Sequence, residues 1–255
     1  MADSGAFLTY RFTLDDGKAM EFPVRLDPET LDAAPQERPS YPEWTLLSSC
    51  RCPNCPLPEG PDRRCPAAER VVDIVGAFKD SASTEVALVE VVRDARRFSK
   101  RTTLAEGVSA LLGVIMPTSG CPILGKLKPN VLTHIPFSTI QETIFRTLAL
   151  YLFAQFLIQR RGGRPDWKIE GLAGLIEDIH TVNRHFSDRF FQCCLKDVNV
   201  NALVHLDSFA ELTAMATQRS ERRLDELEKL FSAYMARVPG LTPGPRPQSK
   251  PGAWA

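Results

Sequence analysis

The chain has 255 residues, 44% hydrophobic and 24% charged, the balance of an ordinary globular protein long enough to bury a sizeable core. Lys plus Arg and Asp plus Glu both number 31, so the net charge is zero and the electrostatic footprint of a dedicated nucleic-acid binder is missing. The most apolar run, Thr147 to Ile158, has 12 residues, short of the ~20 that a membrane span needs. Met1 to Gly5 has no basic and apolar leader, which makes the expected location cytoplasmic.

Taken in order, Phe7 to Leu14 alternates apolar and polar residues, Asp16-Gly17 supplies a turn, and Met20 to Leu26 resumes extended character. This predicts a β-hairpin. A connecting loop rich in Pro, Asp and Glu follows from Asp27 to Pro42, and Trp44 to Leu47 reads as a short strand. Cys65-Pro66 predicts a helix over Ala67 to Lys79, with proline at its first position and the cysteine as N-cap. Glu85 to Val92 is a β-branched strand, and Arg96 to Arg101 pairs back on it.

The second half reads as helical. Thr103 to Glu106 is a capping box that starts a helix to about Ile115. Val131 to His134 is expected to be extended. A second capping box at Ser138 to Gln141 opens a long helix to about Arg160, apolar nearly all round and therefore expected to be the buried central helix. Asp166 is expected to cap a helix with the stripe Ile169, Leu172, Ile176, Ile179, Val182, Phe186 and Phe190. Asp197 to Val204 is a connector, and Ser208 starts the next helix. Leu224, Leu227, Phe231, Tyr234 and Val238 form a short apolar seam. It packs on the body or, as the sharper alternative, makes a homodimer contact through Leu224, Leu227, Phe231 and Tyr234. The fold class is α+β: a small antiparallel N-terminal sheet packed on a mainly helical body. The expected domain runs from 1 to 238, β-rich over 1–102 and helical over 103–238, with a disordered Pro/Gly-rich tail over 239–255.

Chemistry concentrates in the cysteines. Four of seven, Cys50, Cys52, Cys55 and Cys65, fall within 16 residues, and Cys121 follows in a similar Cys-Pro setting. In a reducing compartment such clusters are ligands or redox thiols more often than disulfides. Thiolates are soft donors that suit zinc or iron–sulfur clusters, with about four ligands to each. The expected set is Cys52, Cys55, Cys65 and Cys121, with Cys50 and His134 as substitutes. Zinc is the first choice and an iron–sulfur cluster the alternative. Four thiolates close the coordination sphere, so the site reads as structural or sensory. A thiol–disulfide role for Cys52 and Cys55 is the other alternative, since Trp44 to Leu47 followed by Cys-x-x-Cys has a thioredoxin-like order, although Pro56 interrupts it.

Glu142 and Arg146 are one helical turn apart and are candidates for a pocket wall or a structural ion pair. Glu177 and His180 read as an exposed pair, and Cys193-Cys194 as packing residues. Lys126 and Lys128 could offset an anionic thiolate centre or be solvated. No nucleophile elbow, P-loop or dinucleotide fingerprint is present, so no reaction class is assigned. The segments Cys52-Pro-Asn-Cys55-Pro-Leu, Cys65-Pro, Gly120-Cys121-Pro and His134-Ile-Pro-Phe137 together resemble a family of uncharacterised bacterial proteins. That resemblance implies no activity; it groups the four segments.

Overall fold

In a computed structural model, the structure describes residues 7–36, 38–193, 196–218, 226–236 and 238. The tail expected over 239–255 and position Leu224 lie outside them. The chain divides into two compact units, residues 1–214 and 215–255.

The first unit carries a four-stranded sheet in the order β2-β1-β3-β4, antiparallel throughout. The strands are β1 (Leu8–Leu14), β2 (Ala19–Val24), β3 (Val86–Arg93) and β4 (Arg96–Thr103). Both expected hairpins form, the first turning at Gly17, whose φ of 86° suits glycine. Alternation puts Leu8, Tyr10, Phe12, Ala87, Val89 and Val91 into the core, because side chains two apart share a face. The other face carries cross-strand pairs such as Arg11–Glu21 and Arg97–Glu90. β4 is an edge strand crowded with Arg and Lys, a composition that discourages pairing with another chain.

Seven helices are used below: α1 (Pro66–Arg70), α2 (Val72–Phe78), α3 (Leu104–Thr118), α4 (Pro129–Leu132), α5 (Ile140–Arg160), α6 (Leu172–Phe191) and α7 (Val198–Gln218). Helix α3 lies directly on the sheet. A Cβ at Gly107 would come within 2.8 Å of both Phe12 and Val89, so the absence of a side chain is what allows this approach. Thr103 caps α3, its hydroxyl accepting from the Glu106 amide at 3.3 Å. The cap of α5 is Thr139, one residue later than expected, and it makes a reciprocal capping box with Glu142.

Several expectations are corrected. Trp44 to Leu47 is not a strand; the chain makes two 3-10 turns there, Glu43–Thr45 and Leu47–Ser49. The helix expected over Ala67 to Lys79 breaks into α1 and α2 at Val71. Val131 to His134 is not extended, since Pro129 starts α4. Asp166 does not cap α6; its carboxylate accepts from the Gly171 amide and the Tyr151 hydroxyl, each at 2.8 Å. The expected connector at Asp197 to Val204 is the beginning of α7, and the Ser208 hydroxyl donates back to the Val204 carbonyl at 2.8 Å inside that helix.

The largest correction concerns α5. Its apolar residues do not make it a buried central helix. Among its residues with described side chains, Ile144 and Gln155 are buried, whereas Phe153 is 60% exposed and Phe145, Phe156, Leu157 and Ile158 are also exposed. The helix buried by its stripe is α6, through Leu172, Ile176, Ile179, Val182, Phe186 and Phe190.

In the second unit a short helix spans Ser232–Met235. Phe231 and Tyr234 are exposed there, with ring centroids 6.2 Å apart.

Candidate metal centre

Two separate segments deliver the cysteines. The first is the loop from Cys50 to Cys65. Its prolines leave few backbone amides for regular structure, and side chains organise it instead. Arg51 Nη2 donates to the carbonyls of Cys55 at 3.0 Å and Leu57 at 2.8 Å. Asn54 Nδ2 donates to the Asp178 carbonyl on α6 at 3.0 Å. The Cys55 amide closes a turn on the Cys52 carbonyl at 3.0 Å. At the loop's end, Cys65 is the N-cap residue of α1, as its spacing to Pro66 predicts. The second segment is Cys121, at the turn after α3, where the Gly125 amide returns to the Cys121 carbonyl at 2.8 Å.

These segments meet. Cys50, Cys52, Cys55, Cys65 and Cys121 line one small cavity of about 20 Å³, closed by Pro56, Leu57, Ile123 and, from α6, Val182 and Phe186. All five are free thiols. A void of this size is on the scale of one water-sized body. The expected ligands and the substitute Cys50 are therefore brought to a single place.

His134 is not brought there. Its Nε2 lies 2.6 Å from the Tyr10 hydroxyl, and its ring lines a second, larger cavity together with Arg146. The expected Glu142–Arg146 ion pair is not made. Glu142 turns its carboxylate to the Thr139 amide at 2.7 Å, and Arg146 Nη2 donates to the Asn130 carbonyl at 2.6 Å. Of these two candidates, Arg146 reaches the larger cavity and Glu142 belongs to a helix cap.

Burial governs the electrostatics of the thiols. It pushes Cys52 up to about 12, helped by the neighbouring Cys65, Cys121 and Cys55. Cys65 and Cys121 are also raised by burial, but opposed by backbone amides: those of Ala68 and Ala67 for Cys65, and those of Leu124 and Ile123 for Cys121. Amides directed at a sulfur favour its thiolate. Two of the four sulfurs are thus already provided with donors suited to the anionic form.

The residue that sequence reasoning missed is Arg189. It is 1% exposed, the largest fully buried side chain. Its guanidinium donates to the backbone carbonyls of Trp44, Leu46 and Cys50, and so pins the entry to the cysteine loop onto α6. Its charge favours the thiolates of Cys50, Cys52 and Cys65. A signal was available: Arg189 falls three residues after Phe186 on the apolar stripe of α6, where a charge needs a reason. By contrast, Lys126 and Lys128 pair with Asp178 and Asp32 at the surface. Glu177 faces Arg184 at 3.5 Å, and His180 faces Asp207 at 2.6 Å. Cys193 packs against the core, and Cys194 lies outside the described residues.

As placed, no three His, Cys, Asp or Glu side chains among the described residues are close enough to share an ion. Binding one would have to draw the thiols inward. The side chains gathered there are five cysteines among apolar residues, a set of soft sulfur donors.

The fold and site together define an α+β protein with an internal cysteine pocket. The chain belongs to the family described as domain of unknown function (DUF6901), whose model matches residues 8–232. This agrees with the expected resemblance to an uncharacterised family. Searches of curated proteins and of solved structures found no match. No helix among the described residues is long and apolar enough to cross a membrane.

Proposed function

We propose that the protein binds a single metal ion, zinc first, through Cys52, Cys55, Cys65 and Cys121, and that the centre is structural or sensory. The observation that carries this reading is the convergence of four thiols from two separate segments on one cavity of about 20 Å³. Zinc is placed first because four thiolates suit a closed tetrahedral ion, and an iron–sulfur cluster is the alternative. The backbone amides aimed at Cys65 and Cys121 and the buried charge of Arg189 support the anionic form of the site. Zinc would supply bonds that hold the proline-rich loop to the body, a folding contribution in its own right. Four protein ligands leave no open position for a substrate, hence the structural or sensory role.

The thiol–disulfide alternative is less well supported. An attacking thiol needs a lowered pKa, and Cys52 is driven the opposite way, to about 12. In our reading the working location is a reducing compartment such as the cytoplasm, where these thiols stay unpaired. For the seam, packing on the body is the first reading and a homodimer contact through Leu224, Leu227, Phe231 and Tyr234 the alternative; Leu227 is buried whereas Phe231 and Tyr234 are exposed.

The test is elemental analysis and an ultraviolet–visible spectrum of protein purified without oxygen. About one zinc per chain and no visible band supports the reading. Iron with sulfide overturns it in favour of a cluster. Metal-free protein that gains no zinc on addition, and whose Cys52 and Cys55 oxidise as a pair, overturns it in favour of redox chemistry.

A further inference from the structure

The larger cavity has a volume of about 440 Å³, within the range of roughly 300–1,000 Å³ typical of small-molecule sites. It is separate in composition from the cysteine pocket and shares none of its lining residues. Its walls are mostly apolar: Leu112 and Met116 from α3, Leu127, Ile176 and Ile179 from α6, and Leu206 from α7. Asn130, His134, Ser138, Thr143 and Arg146 line it near the start of α5, and Glu106, Ser109, Asn183 and His205 add polar groups from α3, α6 and α7.

One of these groups has a donor to spare. Arg146 Nε is buried and has no hydrogen-bond partner, while Nη2 is held by the Asn130 carbonyl. A buried guanidinium with an unmet donor is costly unless something anionic completes it. His134 lines the same cavity. Burial and the nearby cations Arg146 and Arg93 keep its ring neutral. Its Nε2 lies 2.6 Å from the fully buried Tyr10 hydroxyl, and which of the two donates depends on the ring's tautomer. Ser138 and Thr143 add hydroxyls, 3.1 Å from each other. The acidic wall residue, Glu106, is already held by Lys100 at 2.5 Å and by the Thr102 hydroxyl.

A cation with an unmet buried donor, set in largely apolar walls, selects for an amphipathic anion. A guanidinium matches a carboxylate in shape and charge. We propose that this cavity binds an apolar monocarboxylic acid, with its carboxylate on Arg146 and His134 and its hydrocarbon body between α3 and α6. Arg146 orients the ligand, and the apolar walls supply most of the affinity.

The test uses octanoate and 1-octanol as probes of equal chain length, titrated calorimetrically into the full chain. Octanoate should saturate about one site per chain, and 1-octanol should bind at least tenfold more weakly. Arg146→Gln should abolish that preference. Ala110→Phe, which fills the cavity from α3 and leaves Arg146 in place, should remove binding of both probes. The unmodified protein already decides the matter should a variant fail to fold. Absence of saturable octanoate binding, equal affinity for acid and alcohol, or unchanged binding in Ala110→Phe overturns the proposal.

Discussion

The Tyr10 hydroxyl, in the middle of strand β1, lies 2.6 Å from Nε2 of His134, in the segment leading into α5. This contact joins the sheet to the large cavity. Burial, reinforced by Arg146 and Arg93, holds the folded ring down to about 3, against its ordinary 6.5. Between these values the unfolded chain binds the extra proton, so stability is complete above about 6.5 and declines as pH falls toward 3. The slope is about 1.4 kcal/mol per pH unit once the unfolded ring is charged. The lowered carboxylates, such as Asp27 and Asp166, act only at more acid pH. Urea midpoints between pH 7 and pH 5 should therefore fall in the wild type. They should fall much less in His134→Gln, and equal declines would contradict the burial of this ring.

Zinc should discriminate between the two candidate ligand types. Cys52→Ser should weaken zinc binding at least tenfold and remove any zinc-induced rise in Tm. His134→Gln should leave zinc affinity unchanged, because this histidine lines the other cavity. Zinc binding in weakly buffered solution should also release protons, since burial keeps Cys52, Cys65 and Cys121 protonated beforehand. A competition assay against a chromogenic chelator reads both affinities.

Two glycines of α3 should respond in opposite directions to the same change. At Gly107 an added methyl meets Phe12 and Val89 at 2.8 Å, and both are fully buried. Gly107→Ala should cost on the order of 1–3 kcal/mol. At Gly113 the nearest atom is Leu206 Cδ2 at 3.4 Å, an ordinary contact. Gly113→Ala should stabilise by up to ~1 kcal/mol through helix propensity. Thermal melts of the two variants check the sign of each.

Arg189→Met should expose the cysteine loop without touching a cysteine. It leaves the Trp44, Leu46 and Cys50 carbonyls without their buried donor, a loss on the order of 3 kcal/mol. The thiols should then react faster with an aromatic disulfide reagent at native pH. Arg189→Lys, which keeps the charge but not the fork, should lie in between. Reaction rates equal to wild type would show that the loop does not depend on this anchor.

Phenylalanines on α5 and α6 should differ sharply. Phe153 is 60% exposed and Phe186 is 1% exposed. Phe153→Ser should shift stability by no more than ~0.5 kcal/mol, whereas Phe186→Ala should cost roughly 3–5 kcal/mol. Denaturant unfolding of the pair tests which of the two helices is internal.

That contrast also marks how far the sequence could be read. Hairpins were legible because Asp16-Gly17 and alternating residues are local signals; Thr103 announces its helix by capping, and the box read at Ser138 lies one residue before the true cap, Thr139. The cysteine grouping was legible because thiols are scarce and chemically specific. Helix α5 was misread because a count of apolar residues does not say which faces find a neighbour. His134 was misplaced for a similar reason: its distance in sequence from Cys121 is short, but α4 turns the chain toward Tyr10. Trp44 to Leu47 has strand-like residues, yet Leu47 and Cys65 bond across to Arg63 and Thr45, which is a loop clasp and not a ladder. The cavity at Arg146 depends on α3, α5, α6 and α7 at once, and no single stretch encodes it.

The dependence of residues 44–50 on Arg189 has a consequence for how the molecule is made. Every thiol of the pocket, through Cys121, leaves the ribosome before Arg189 does. At roughly 5–20 residues per second, the interval from Cys121 to Arg189 lasts several seconds. During it the nascent loop carries its cysteines without the side chain that seats them. Thiol-reactive reagents should therefore label these cysteines faster in the unfinished chain than in the folded one.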